Sequence, residues 1–498
     1  MKDLVNQLTI DWVHWWELLV NWYWLPLFIF YIGVMSTILI ENRNPSKTVS
    51  WIMVIFFIPF LGLLLYYLFG QKFRKVRRFQ RINRLQFKKI QKAWNDNLLF
   101  MSAQIPRMTN RIGGLVRVFE YVKNQHLSPF SNNNKISLLT NGEEKFPLFI
   151  ADLQAAKEFI HLEYYIFEMD TIGTQVMDIL LQKASQGVEV RVILDSFGSP
   201  AALRYLKKQH NLQLAYQAFL PVSFSSLANS NYRNHRKIVI VDGNVGYIGG
   251  INISDRYINK EGADTLYWRD TSIRLEGEGV NSLQIQFWNS WNQTAGAPFM
   301  LSEKYLKIWE SCAETSNDAF TLVSSDPGSR SPFNLEALLI AIAEAKESIQ
   351  VCTPYFIPPD ELSMALQLAA ASGIQVELMI PASSDSYIVY HASFSYLKPL
   401  LMRGVSVHLY KKGFLHAKTI CIDRKLAFVG TVNLDIRSFY INFEIAAVFS
   451  DIKVCERLAQ QFERDKEQSE IVTLYIWMHR KKWKRALDSL CRLLAPLL

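Results

Sequence analysis

Hydrophobic and polar positions divide the chain into two unlike parts. Residues 18–40 and 48–71 carry no charged side chain, and each stretch is long enough to cross a ~30 Å hydrocarbon layer as a helix of ~20 apolar residues. From about Phe146 onward the pattern changes to helical runs, each followed by a short β-branched or apolar run. That alternation predicts an α/β architecture with largely buried strands.

The link Glu41-Asn42-Arg43-Asn44-Pro45-Ser46-Lys47 is too short for anything but a hairpin, so both ends of the apolar pair lie on one side. Trp12, Trp15, Trp16, Trp22 and Trp24 crowd the start of the first stretch, where an interfacial aromatic belt belongs. Pro26 and Pro59 are tolerable in membrane helices. A cleaved signal peptide fits poorly, since only Lys2 is basic and a second apolar stretch follows at once. Next come Lys72, Arg74, Lys75, Arg77, Arg78, Arg81, Arg84, Lys88, Lys89 and Lys92, with no acid among them. The positive-inside bias then assigns the large C-terminal part to the cytoplasmic side of a multi-pass protein. The same basic collar suits an anionic membrane surface. It would also serve as a solvated helix that only fixes topology.

Composition narrows the picture slightly. Over 498 residues the chain is half hydrophobic and carries a net charge of +9, a weak pointer to an anionic partner. Five cysteines without a CxxC pair suggest neither a disulfide framework nor a structural zinc site.

The second part repeats itself once. Ala156-Lys157-Glu158-Phe159-Ile160-His161-Leu162 matches Ala345-Lys346-Glu347-Ser348-Ile349-Gln350-Val351, and Gly187–Leu194 matches Gly373–Ile380 in the same way. A third pair carries the chemistry. His235 and His416 each have Lys at +2 (Lys237, Lys418), Asp at +7 (Asp242, Asp423), Gly at +14 (Gly249, Gly430) and Asn at +17 (Asn252, Asn433). One such spacing could be chance; two copies in matching halves could not.

Strand alternation puts His and Lys of each motif on one face and the residue between them on the other. Two such strands meeting across a pseudo-two-fold seam would gather two imidazoles, two ammonium groups and two amides around one pocket. That set suits a phosphodiester, with Lys237, Lys418, Asn252 and Asn433 stabilising negative charge. One imidazole would attack phosphorus and the other would protonate the leaving alcohol, then deprotonate the acceptor. No acidic cluster of metal-binding spacing accompanies the pair, so neither metal nor other cofactor is expected. Asp242 and Asp423, counted with the motif's catalytic set, are expected to brace it rather than react. A carboxylate behind each imidazole would fix its tautomer, and Asp270 and Glu444 are the candidates. His161, His391 and His408 recur in no duplicated motif and are expected to be structural.

The doubled HxKxxxxDxxxxxxGxxN pattern resembles that of the phospholipase D superfamily. Within it, Glu41–Pro45, His161–Phe167, Tyr232–Lys237, Pro354-Tyr355-Phe356, Phe414–Lys418 and Arg437–Glu444 resemble bacterial cardiolipin synthases over nearly the whole chain. The resemblance implies two pseudo-symmetric α/β/α sandwich lobes and a bacterial cell membrane location. It implies transfer of a phosphatidyl group between two phosphatidylglycerol molecules, giving cardiolipin and glycerol, with His235 as nucleophile and His416 as acid/base. No nucleic-acid partner is expected. Gly250 and Thr431 stand where many relatives have Ser.

The expected organisation is two transmembrane helices in 1–71 (about 18–40 and 48–70), a basic linker at 72–140, and a first lobe at 141–300. An inter-lobe linker at 301–333, a second lobe at 334–470 and an amphipathic C-terminal helix at 471–498 complete it. The C-terminal helix suits either a bilayer interface or packing on the catalytic body. A lipid hydrolase, a membrane-tethered nuclease and an inactive scaffold remain as rival readings, the first sharing the covalent step.

Overall fold

The computed structural model describes residues 24–41, 45–66, 101–125, 127–209, 213–220, 232–259, 266–294, 302–307 and 318–495. Trp12, Trp15, Trp16 and Trp22, residues 42–44 of the hairpin link, the basic run 72–92 and Cys312 lie outside them. The chain forms two compact units, Met1–Lys75 and Val76–Leu498.

In the first unit, helix Trp24–Glu41 is followed by Pro45–Phe57 and Pro59–Leu65. Proline lacks a backbone donor and its ring crowds the preceding turn, so the second apolar stretch breaks at Ile58, where φ is −132°. Ile38, Ile55 and Tyr66 are buried together, whereas Ile29, Ile40, Phe56, Phe57 and Phe60 are exposed. Among the described residues, no helix is long and apolar enough to cross a membrane.

The second unit contains two mixed sheets. The first runs Asn134–Thr140, Thr271–Gly277, Val245–Gly249, Ile238–Val241, Phe159–Tyr164, Glu189–Asp195, Ala215–Phe219. The second runs Phe320–Ser325, Glu444–Phe449, Leu426–Gly430, Thr419–Ile422, Ser348–Cys352, Gln375–Pro381, Ser406–Tyr410, with Ser469–Val472 added at its far edge. Strand for strand the first seven correspond, so the duplication in sequence is a duplication of fold.

Alternation sorts the strand side chains into layers. Ile238 and Ile240 face a middle core shared with Ala427, Val429, Ile445 and Ala447 of the other sheet. Val239 and Val241 face the opposite way, onto Phe149, Leu153, Val176 and Leu180 of the outer helices. Helices Gly279–Thr294 and Ile452–Glu467 contribute Phe287, Trp288, Cys455 and Leu458 to the middle layer. His161 is buried there, stacked on Phe287 at 4.6 Å.

Several segments depart from the expected organisation: Asn134–Thr140, at the end of the expected basic linker, is a strand paired antiparallel with Thr271–Gly277. Residues 101–124, assigned from sequence to a basic linker, fold as helical turns. They bury Met101, Met108, Ile112, Leu115, Phe119 and Val122 in the second repeat's core. From Met108 onward those positions recur every three or four residues, which is a helical stripe hidden beside a dominant run of charge. Phe320–Ser325, inside the expected inter-lobe linker, is an edge strand paired antiparallel with Glu444–Phe449.

Candidate active site

The two His-Lys pairs sit just before their strands, on extended lead-ins, because ladder pairing begins only at Ile238 and Thr419. Alternation persists there. Arg236, between His235 and Lys237, turns inward and donates to Ser290 Oγ and Ser324 Oγ at 3.2 and 2.7 Å. Ala417, between His416 and Lys418, is buried against Cys352, Met379 and Tyr410.

Each lead-in is held by the other repeat. The His235 backbone N–H donates to Phe443 O at 3.0 Å, and the His416 N–H donates to Arg269 O at 2.7 Å. Phe443 and Arg269 immediately precede Glu444 and Asp270. The backbone contact therefore delivers each acid to the imidazole of the opposite half. His235 Nδ1 lies 2.9 Å from Glu444 Oε1, and His416 Nδ1 lies 2.6 Å from Asp270 Oδ2. Both carboxylates are fully buried, so the pairs are charge-assisted hydrogen bonds shielded from water. With Nδ1 occupied in each ring, Nε2 is the nitrogen left to face a substrate.

The acids are themselves braced, and differently. Asp270 Oδ1 accepts from the Thr271 N–H at 2.7 Å, and its own N–H donates to Asn141 Oδ1 at 3.0 Å. A Cβ on Gly250 would come within 2.1 Å of Asp270 Oδ1, which accounts for glycine there. At the matching position the Thr431 hydroxyl donates to Glu444 Oε2 at 2.5 Å. Thr431 thus serves the carboxylate behind His235.

Lys237 Nζ donates to His235 O at 2.6 Å and sits 5.4 Å from the centre of the Tyr165 ring, which also packs on His235 at 4.4 Å. Lys418 Nζ donates to His416 O and lies 3.9 Å from Asp270 Oδ2 and 2.9 Å from His416 Nδ1. One Nδ1 cannot both donate to Asp270 and accept from Lys418. The shorter contact to an ionised carboxylate assigns the proton to Nδ1, directed at Asp270.

Burial, reinforced by Lys418, pushes Lys237 down to about 7. Burial likewise pushes Lys418 down to about 8, against the pull of Asp270 and Glu444. Burial and then Lys418 push His416 down to about 4 despite Asp270. Burial alone would raise Asp270, but Lys418 and His416 outweigh it and hold the carboxyl below its ordinary range. The site therefore combines an ionised Asp270 with cations whose charge depends on what enters.

Asn252 joins the repeats through Tyr257: its Nδ2 donates to Tyr257 Oη at 2.8 Å, and that hydroxyl lies 3.4 Å from His416 Nδ1. Asn433 is buried, and its Oδ1 has no hydrogen-bond partner among the described residues. Asp242 and Asp423 sit at the far ends of the motif strands, away from the imidazoles. Asp242 accepts from the N–H groups of Lys157, Glu158 and Phe159 at 2.7–2.8 Å. Asp423 does the same for Lys346, Glu347 and Ser348 at 2.8–2.9 Å. Each pins a chain turn of its own repeat. Among the described residues, no group of three or more His, Cys, Asp or Glu could hold a metal ion.

Sequence reasoning missed several neighbours. Trp268 packs on His416 at 5.4 Å and Phe414 at 5.7 Å, so aromatic walls supply its burial. Lys145 is fully buried and donates to Tyr164 Oη and Ile251 O, both at 2.8 Å. Burial pushes it down to about 7 against the pull of Asp270. Following Glu143 and Glu144, it looks like a solvated helix charge. Only the repeat offset hints otherwise, since Asn334 stands in its place and lines a small cavity beside Lys418.

Comparison with known proteins agrees with this geometry. Residues 149–291 and 338–466 match the family described as "Cardiolipin synthase, PLD-like domain", and residues 27–71 match "Phospholipase_D-nuclease N-terminal". The chain is 36% identical over 481 residues to a cardiolipin synthase of Alkalihalophilus pseudofirmus, covering 95% of this chain and 92% of that one. It is 36% identical over 486 residues to the major cardiolipin synthase of Bacillus subtilis, covering 95% and 98%. Among solved structures, a phosphatidylserine synthase of Haemophilus influenzae Rd KW20 shares the fold. It has a TM-score of 0.60 at 13% identity and covers 77% of this chain and all of that one. A duplicated two-lobe α/β body, paired motifs at its seam and relatives matched nearly end to end converge on one assignment: the chain belongs to the cardiolipin synthase family of phospholipase D-like enzymes.

Proposed function

We propose that the chain condenses two phosphatidylglycerol molecules to cardiolipin and glycerol through a phosphohistidine. The observation that carries the reading is the crossed pairing of His235 with Glu444 and His416 with Asp270 beside Lys237 and Lys418. His235 Nε2 attacks phosphorus of the first lipid, and the P–O bond to its headgroup glycerol breaks. His416 gives that glycerol oxygen a proton, and glycerol leaves. His416 then takes a proton from a headgroup hydroxyl of the second lipid, whose oxygen attacks phosphorus and frees His235. Each acid steadies the imidazolium that forms beside it.

Electrostatics support the sequence of events. A phosphodiester anion entering between Lys237 and Lys418 favours their charged forms and raises the proton affinity of His416. The proton needed for the leaving group is thus loaded as substrate binds. Asn252 and Asn433 hydrogen-bond the phosphoryl oxygens.

The same reading assigns residues 1–71 to a two-helix membrane hairpin and the catalytic repeats to its cytoplasmic side, beside an anionic lipid surface. It is supported by the outward apolar side chains Ile29, Ile40, Phe56 and Phe60 and by the acid-free basic run after the hairpin.

The test is lipid mass spectrometry of purified protein in phosphatidylglycerol vesicles. Equal amounts of cardiolipin and glycerol are expected, lost in His235→Ala. Phosphatidic acid as main product would make the chain a hydrolase instead.

A further inference from the structure

We infer that the C-terminal segment 474–494 is a docking surface for an anionic bilayer, clamped to the helix that borders the reaction centre. The inference rests on the lipid-substrate reading above but is carried by a separate surface.

Helix Lys482–Arg492 has three faces rather than two. At 3.6 residues per turn, Asp488, Cys491 and Ala495 fall on one side, and all are buried. Arg492, Arg485 and Lys482 form a basic stripe next to it. The remaining arc holds Trp483, Leu490, Leu493 and Leu494, exposed by 59, 62, 75 and 41%. A helix that only packed on the body would need the first face and could solvate the others. Here a complete apolar arc faces outward beside a cationic stripe, the division expected of a helix lying in a headgroup layer. The preceding turn, Leu474–Met478, adds exposed Tyr475 and Ile476. Charge identifies the occupant: Lys481, Lys482, Lys484 and Arg485 flank the arc within five consecutive positions, and the one acid of the helix, Asp488, is turned inward.

That inward acid is the clamp. Asp488 Oδ1 lies 2.6 Å from His391 Nδ1, and Oδ2 lies 2.8 Å from an Arg480 Nη. His391 belongs to helix Tyr387–Ser395, which itself exposes Tyr387 and Ile388. Two residues before that helix, Asp385 accepts from Tyr355 Oη at 2.8 Å and acts electrostatically on Lys418. A bilayer held by the C-terminal arc is therefore tied through one buried ion cluster to the wall beside the second motif. His391 and Asp488 are positioning residues for the docked surface.

The experiment uses the full chain reconstituted in vesicles of zwitterionic lipid with graded phosphatidylglycerol. A fluorophore at Leu490→Cys, compared with the unsubstituted chain labelled in parallel, should be quenched by brominated lipid, increasingly so with anionic fraction. The variant Trp483→Ser/Leu490→Ser/Leu494→Ser and the variant Lys482→Glu/Arg485→Glu should each raise the surface KM for phosphatidylglycerol about tenfold. kcat should stay within about twofold, and activity on a monomeric short-chain phosphatidylglycerol should match wild type.

A fluorophore at 490 that bromolipid never quenches would overturn the inference, as would one shielded without quenching, which means a protein covers the arc. Equal loss on monomeric and vesicle substrate would overturn it too, since that is a folding defect. Quenching is read without turnover. Wild type that docks but makes no cardiolipin therefore refutes the lipid reaction and leaves the docking surface standing.

Discussion

Glu444 Oε1 lies 2.9 Å from His235 Nδ1 although the two residues belong to different repeats. Asp270 repays the arrangement at His416 across 2.6 Å. Neither motif imidazole takes its carboxylate from its own half, so the two His–acid pairs are assembled only at the seam.

Neutralising these acids should therefore disable the chemistry while leaving the fold. Glu444→Gln and Asp270→Asn are each expected to lower kcat by about 100- to 10,000-fold, the range for losing a correctly oriented acid–base group. Cardiolipin formation by each variant, alongside its thermal unfolding midpoint, measures this. Activity within threefold of wild type would remove the crossed pairs from the mechanism.

Asp242 and Asp423 should behave in the opposite way. Each accepts three backbone N–H groups in its own repeat. Asp242→Ala or Asp423→Ala leaves those donors without a partner, at a cost of about 3 kcal/mol or more. Calorimetry should show a lowered unfolding midpoint, while kcat per folded molecule changes only a few-fold. A normal midpoint with lost turnover would place these carboxylates in the reaction.

The pH profile follows from the buried lysines. In the free site Lys237 loses its proton near about 7 and Lys418 near about 8, so anion-binding charge falls as pH rises through that window. kcat/KM for phosphatidylglycerol, which reports the free enzyme, should decline between about pH 7 and 8. Once the phosphodiester is bound it favours the charged lysines, so kcat should hold to higher pH. Parallel profiles for the two constants would contradict the assignment.

The unequal bracing of the acids gives a further check. Gly250→Ala places a Cβ 2.1 Å from Asp270 Oδ1, and the Thr271 N–H at 2.7 Å opposes its retreat. Turnover should fall at least about tenfold through a misplaced His416. Thr431→Val, which removes the donor to Glu444 Oε2, should also lower kcat, whereas Thr431→Ser retains the hydroxyl and should preserve it. Equal kinetics for the Val and Ser variants would show that the hydroxyl does not support Glu444.

Much of the site is local information, and the sequence by itself determined that much. Spacing within each motif fixes that His235 and Lys237, or His416 and Lys418, leave the chain together while Arg236 and Ala417 turn inward, because alternation is a property of extended backbone. Repetition of Gly249 and Asn252 as Gly430 and Asn433 identifies the duplication for the same reason. Asp270 and Glu444 are visible as acids downstream of each copy. Which imidazole each acid serves was decided only by tertiary structure. It depends on the His235 N–H meeting Phe443 O and the His416 N–H meeting Arg269 O, contacts between segments far apart in the chain. Lys145 and the helices at 101–124 were hidden for a related reason. A charged residue or a basic run looks solvated until the partner surface that buries its neighbours is present. Periodicity tells a side chain which way to point, and only packing decides what it meets there.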